Sequence, residues 1–208
     1  MKKFYFIKIR TVLVILFLIL NGCDGIFVPD PIDPRIPKYT EDGNNVAGAF
    51  INDNIWKSVV TIGFPYSYNQ PFINVWQEND SLVLRLNGNT AGESSSIEFH
   101  LTGLKISKIE ELVTLDGNKI QLDGIKNIGF YIENYTPSSY DNKGIGQIYF
   151  KHVGIQDSNV SVEGQTSKIV IISGTFGFSI NDSNGEITKV TSGRFDYRIT
   201  ESTNFQTE

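Results

Sequence analysis

Cysteine is almost absent from this chain: Cys23 is the only one in 208 residues. One thiol excludes an internal disulfide, a dithiol redox centre and a multi-cysteine zinc site. Histidine is nearly as scarce, with His100 and His152 alone. They fit neither an H-x-x-x-H nor an H-x-H spacing, so a zinc site here would need scattered carboxylates. No G-x-S-x-G elbow marks a serine hydrolase. No apolar run reaches the ~20 residues that a spanning helix requires. A basic surplus is missing too: 18 Lys and Arg face 23 Asp and Glu, a formal charge of −5. Such a chain is a poor match for nucleic acid or anionic headgroups, which both call for a basic footprint. Crossover helices are also lacking, which excludes a parallel α/β architecture.

The N-terminus has the layout of an export signal over residues 1–22. Lys2, Lys3, Lys8 and Arg10 precede a short apolar run, Thr11 to Leu20, and Gly22 stands directly before Cys23. Leu20-Asn21-Gly22-Cys23 resembles the lipobox of bacterial lipoproteins, whose cysteine is lipidated on sulfur and then acylated on its amine. An ordinary signal peptide or a mitochondrial-style leader is the competing reading. One acyl chain binds a bilayer marginally and several hold it stably, so the expected partner of Cys23 is a membrane. The expected location is the bacterial envelope, lipid-anchored at the outer membrane, with the periplasmic or surface face left open. Loss of the leader takes Lys and Arg from 18 to 14 against 23 acids, a formal charge of about −9.

Asp24 to Thr40 holds Pro29, Pro31, Pro34 and Pro37, four of the seven prolines. Proline fixes φ and lacks an N–H, so residues 23–44 read as a semi-rigid polyproline spacer. Sixteen such residues at roughly 3.1 Å each span about 50 Å. The alternative is that part of this segment, with Ile26, Phe27 and Val28, packs on the domain as an irregular first strand.

Residues 45–208 read as one domain. Its segments alternate with period two, the mark of half-buried strands. Leu82, Leu84 and Leu86 share a face with Val83 and Arg85 opposite. Ile97, Phe99 and Leu101 point in, Glu98 and His100 out. Lys168–Ile180 and Ile187–Ile199 carry Phe176, Phe178, Phe195 and Tyr197 in the same manner. Shorter candidates are 46–51, 55–61, 72–77, 128–135 and 145–153. Asn181 to Glu186, with its Asn-Gly, reads as a hairpin turn, and Asn52-Asp53-Asn54 and Asn87-Gly88-Asn89 as two more. Gly174 lies on an apolar strand face, which suggests a bulge or a close backbone approach. Ser107–Leu115 reads equally as helix or strand, with Ser107 and Glu110 at capping-box spacing. The expected fold is all-β: an antiparallel β-sandwich or a flattened up-and-down barrel of about 9–10 strands.

The C-terminal run Ile172-Ser173-Gly174-Thr175-Phe176-Gly177-Phe178, the Asn-Gly turn, and Val190-Thr191-Ser192-Gly193-Arg194-Phe195-Asp196-Tyr197 resemble the ending of a family of uncharacterised Bacteroidota lipoproteins. Ala49 to Trp56 resembles that family's opening hairpin, and Lys143 to Ile148 its glycine-led strand. The resemblance implies an all-β fold and an envelope location, and brings no activity. Members often carry an acidic run after the lipidated cysteine; here only Asp24 follows, so the membrane face stays open.

For chemistry, the carboxylates Glu110, Glu111, Asp116, Asp123, Glu133, Asp141 and Asp157 offer material for a glycan-hydrolysing pair, and also for ordinary solvated loops. Asp182, Asn184 and Glu186 offer oxygens for calcium, but read more simply as turn residues. Both histidines read as structural, His100 facing solvent and His152 sharing parity with Ile148 and Phe150. The aromatics carry the binding expectation. Tyr66 and Tyr68 lie in a long uncharged loop before Trp76, while Tyr131, Tyr135 and Tyr140 gather later. Such rings stack on sugars or make protein contacts; the opposing reading is that they cap the domain's ends. The expectation is therefore a non-catalytic module that binds a glycan, a small ligand or a protein. It names no cofactor, metal or catalytic residue. A structural role in an envelope complex and, behind it, a glycan hydrolase are the alternatives.

Overall fold

The computed structural model describes residues 33–58, 61–63, 67–69, 73–133, 140–162, 165–201 and 204–206. Residues 61–63, 67–69, 157–162 and 165–167 are described as backbone alone. Cys23 and the residues up to Ile32 lie outside the described part.

The strands are β1 (Val46–Ile51), β2 (Asn54–Lys57), β3 (Thr61–Gly63), β4 (Ser67–Asn69), β5 (Ile73–Glu78), β6 (Ser81–Thr90) and β7 (Glu93–Thr102). After them come β8 (Lys119–Asp123), β9 (Asn127–Glu133), β10 (Gly144–Val162), β11 (Gln165–Asn181), β12 (Ile187–Thr200) and β13 (Phe205–Gln206). Eight close an antiparallel barrel in the order β6, β2, β1, β12, β11, β10, β9, β7 and back to β6. β5 lies beside β6 and takes β13 in parallel on its other edge, β8 pairs with β10, and β3 with β4. The fold is thus all-β and antiparallel. It takes the barrel branch of the expectation, with 13 described strands in place of nine or ten.

The inward faces fill the lumen. Trp56, Tyr197, Phe99 and Phe150 are fully buried there with the Leu82, Leu84, Leu86 row. Phe99 meets Phe176 and Phe178 edge-on at 5.2 and 5.9 Å. An eight-stranded barrel is just wide enough to be filled in this way.

Two seams of the barrel are thin. β2 meets β6 through Trp56↔Thr90 and Lys57↔Asn89, and β9 meets β10 through Gly129↔Gly144. Glycine makes both approaches feasible. A Cβ at Gly88 would strike the carbonyl of Lys57 and lie 2.7 Å from the Trp56 indole; one at Gly144 would strike the Phe178 ring and lie 2.6 Å from the carbonyl of Gly129. This corrects the expected turn at Asn87–Asn89. The strand runs straight through Gly88, and the chain reverses at Ala91 and Gly92, whose φ values are 53° and 93°.

The helix-or-strand stretch takes its helical branch, and two further expectations change. Residues 107–115 form a 3-10 helix over Ile109–Leu115, and the carboxylate that closes its start is Glu111, accepting from the N–H groups of Ser107 and Lys108. Glu110 instead binds Lys168 at 2.6 Å. A register shift between Phe150 and His152, opposite Gly174, breaks the parity of β10, so Val153 turns inward in place of His152. Gly174 itself takes the close approach expected of it, with the Phe195 ring 2.7 Å from where a Cβ would stand.

The domain also begins earlier than residue 45. The compact unit starts at Asp33, and residues 33–44 form a strap along β1 rather than part of a free spacer. Arg35 stacks on Phe50 at 4.9 Å, Ile36 and Pro37 lie on Gly48, and Lys151 stands 4.2 Å over the Tyr39 ring. The strap ends in a cage around the buried carboxylate of Asp196. Thr40 Oγ1 (2.5 Å), the N–H groups of Asp42, Gly43 and Asn44, Asn44 Nδ2 and Ser173 Oγ (2.8 Å) all donate to it.

Replacement of Gly144 by Ala is expected to cost about 1–3 kcal/mol in denaturant unfolding, through forced repacking against Phe178. The same change at Gly177, where a Cβ meets nothing closer than 3.4 Å, is expected to be neutral or slightly stabilising. Burial by itself would raise the pKa of Asp196, but its hydrogen bonds outweigh this and hold it below the ordinary 3.8. Its stabilisation is therefore complete above that value and lost as pH falls through the depressed one. Asp196→Asn is expected to remove about 2–3 kcal/mol at neutral pH and to speed tryptic cleavage after Arg35 and Lys38 at least tenfold.

Candidate functional site

The outer face of β5, β6, β7 and β9 carries the most developed side-chain constellation among the described residues. Strand parity sends Trp76, Arg85, Glu98, His100 and Phe130 outward, and register brings them together: Arg85 pairs with Glu98, and Glu98 with Phe130. Tyr140, from the connection between β9 and β10, lies against Phe130 at 5.3 Å.

Glu98 is the hub, with a side chain only 1% exposed. Its Oε2 accepts from Arg85 Nε at 2.5 Å and from the Tyr140 hydroxyl at 3.4 Å; its Oε1 bonds His100 Nε2 at 2.5 Å. Arg85 Nη2 donates to the Tyr140 hydroxyl at 3.0 Å, and its guanidinium lies 5.0 Å from the Trp76 ring centre. His100 meets the Phe130 ring edge-on at 5.1 Å.

Burial would raise the pKa of Glu98, but His100 and Arg85 hold it below its ordinary value. Burial likewise opposes the charge on Arg85, and Glu98 more than restores it. The Tyr140 hydroxyl is raised, by burial first and the Glu98 charge second. At neutral pH the site therefore holds one carboxylate, one guanidinium and a neutral phenol. Because an ionised carboxylate only accepts, His100 Nε2 bears the proton in this arrangement.

Of the residues singled out in sequence, the structure brings Trp76 and Tyr140 together, through Arg85. Tyr131 departs from the expectation: it is buried in the barrel wall, and its hydroxyl donates to Thr90 Oγ1 at 2.8 Å. The backbone at Tyr68 lies in β4 opposite Ile62. Tyr66, Tyr135 and Cys23 lie outside the described residues. Sequence reasoning did not assign Arg85, Glu98 and Phe130 to the site. The outward parity of Arg85 and Glu98 was visible, but the register that aligns them with Phe130 was not. His100 is half-buried in this network rather than facing open solvent.

The catalytic alternatives find little support in geometry. Glu98 and His100 form an acid–imidazole pair, but no serine hydroxyl bonds the ring among the described residues. Other carboxylates have structural partners: Asp116 accepts from the N–H of Val153, Asp123 from those of Ile125, Lys126 and Asn127, and Asp182 from those of Asn184 and Glu186. Asp182 thereby serves as the turn residue expected. No three His, Cys, Asp or Glu side chains converge on a metal-sized site among the described residues. Comparison with family models, with curated proteins and with solved structures finds no match to the chain.

Glu98→Gln is expected to destabilise the protein by about 3 kcal/mol at pH 7, since it leaves Arg85 beside a neutral group in a partly buried site. The wild-type melting temperature is expected to fall as pH drops below the ordinary 4.5 of a glutamate and through the depressed value. The Glu98→Gln chain is expected to lack that portion of the fall, which melting curves between pH 3 and 7 would measure.

Proposed function

We propose that this chain is an envelope lipoprotein, held to the outer membrane by acyl chains on Cys23, whose barrel is a non-catalytic module that binds an uncharged glycan. The observation that carries the reading is the convergence of Trp76 and Tyr140 on the Arg85–Glu98 pair. Two aromatic side chains frame polar groups whose charges already cancel one another. Such a surface offers stacking faces and hydrogen bonds without a net field, which suits a sugar ring better than an anion. The filled lumen favours the outer face over the barrel interior as the place where a ligand sits. The lipoprotein part of the reading is supported by the basic, apolar and Gly-Cys order of the N-terminus.

A glycan array probed with the chain lacking residues 1–23 is expected to show binding to at least one neutral oligosaccharide. Trp76→Ala is expected to weaken that binding at least tenfold, as truncation of a central aromatic contact does. Asp182→Asn, in the distant β11–β12 turn, is expected to leave it unchanged. An array with no signal above background, or a signal indifferent to Trp76, would overturn the reading.

A further inference from the structure

Three of the most exposed large apolar side chains lie together at the end of the barrel where the strap begins. Ile125, Ile145 and Ile187 are 81%, 60% and 58% exposed. The ladders place them at one end, with Ser179 and Asn181 of β11 between Ile145 and Ile187. Ile145 pairs with Asp123, two residues before Ile125, and with Ser179. Ser179 pairs in turn with Lys189, two residues after Ile187. They cluster where β10 and β12 begin and β8 and β11 end. The β1–β2 turn lies at this same end, since the N–H of Asn52 donates to the carbonyl of Lys189.

The strap enters from the same direction. Arg35 lies on Phe50, near the end of β1; Ile36 and Pro37 lie on Gly48; Thr40 to Asn44 reach Asp196, opposite Val46 at the start of β1. Read backwards, the chain runs down β1 and leaves the described unit at the isoleucine end. Nine residues, Asp24 to Ile32, separate Asp33 from Cys23. Fully extended they span on the order of 30 Å. The far end of β12 is a further ~45 Å away along the strand.

We infer that this end of the barrel docks on the bilayer, with Ile125, Ile145 and Ile187 inserted at the headgroup boundary. The inference rests on the acylation of Cys23 proposed above. A membrane surface is the occupant that the short tether places nearest this patch. Lys126, Lys143 and Lys189 flank the isoleucines and can lay their alkyl stems on the boundary with their ammonium groups in water, beside the carboxylates of Asp123, the ladder partner of Ile145, and Glu186. Contact through apolar side chains also suits a chain too acidic to bind anionic headgroups by charge.

The test uses the full mature lipoprotein in vesicles of phosphatidylcholine and phosphatidylethanolamine that contain nitroxide-labelled lipid. With Cys23 acylated, an engineered cysteine is the only free thiol for a fluorescent probe. Ile145→Cys and Ile187→Cys are expected to show at least twofold more quenching than Glu201→Cys, just beyond the opposite end of β12. Adding Ile125→Ser and Ile145→Ser to the Ile187→Cys chain is expected to abolish the excess; all three positions are exposed, so the fold is retained. Equal quenching at 187 and 201 in a chain whose mass shows the acyl groups overturns the docking alone. A mass without acyl groups overturns the anchoring, and the docking with it.

Discussion

Four aromatic side chains lie on four glycines, and the closure of the barrel depends on that pairing. Trp56 covers Gly88, Phe178 covers Gly144, Phe195 covers Gly174 and Phe176 covers Gly193. Each ring fills volume that a Cβ would otherwise claim, while the bare backbone lets a neighbouring carbonyl come close. Glycine within a strand weakens it by itself; an aromatic partner laid across it restores the lost contact. The thinnest seams, at β2–β6 and β9–β10, both carry such a pair. Without them the ring would part at both seams into two open sheets, β2-β1-β12-β11-β10 and β9-β7-β6.

Two buried carboxylates on the outer wall perform a second kind of work. Taking an ionised carboxyl out of water costs several kcal/mol unless its oxygens are fully engaged. Asp196 meets that requirement with a ring of strap donors, and Glu98 with Arg85, His100 and Tyr140. In each case a residue of the wall dictates the position of a segment that is not itself a strand. Asp196 fixes the strap, and Glu98 fixes the connection that bears Tyr140. The run Gly193-Arg194-Phe195-Asp196-Tyr197 places two lumen rings, one ring-bearing glycine and the cage carboxylate within five residues. Closure and strapping thereby account for most of that stretch.

The period-two pattern made the strands and their faces legible, because burial on one side is written directly into alternate residues. Leu82, Leu84 and Leu86 point inward as expected, and Arg85 and Glu98 outward. Register was not legible, and the site depends on it. Asn87-Gly88-Asn89 carries a strong local turn signal. A reversal there would have set Arg85 opposite Ala91, whereas the reversal at Ala91-Gly92 sets it opposite Glu98. Gly88 serves the Trp56 ring instead, a demand made by a residue 32 positions earlier that no local pattern shows. The parity of His152 failed for a similar reason, since the shift opposite Gly174 is a property of two strands together. Asp33 to Asn44 read as a spacer because prolines bar them from a ladder; side chains, not ladder bonds, hold them to β1.

The pairing of β1 with β12 has a consequence for how the chain reaches this state. Ala47 lies opposite Phe195, so the ring closes on contacts almost 150 residues apart in sequence. Contacts of that range carry the full entropy of loop closure before any of their energy is returned, which places such folds among the slow ones. The strap is subject to the same delay, because the carboxylate that receives it belongs to the last strand of the barrel. A nascent chain that has emerged as far as β11 holds neither its closing strand nor the anchor point of its own N-terminal segment. The final strand therefore acts as a timing element: its arrival seals the wall and fastens the N-terminal segment in a single event.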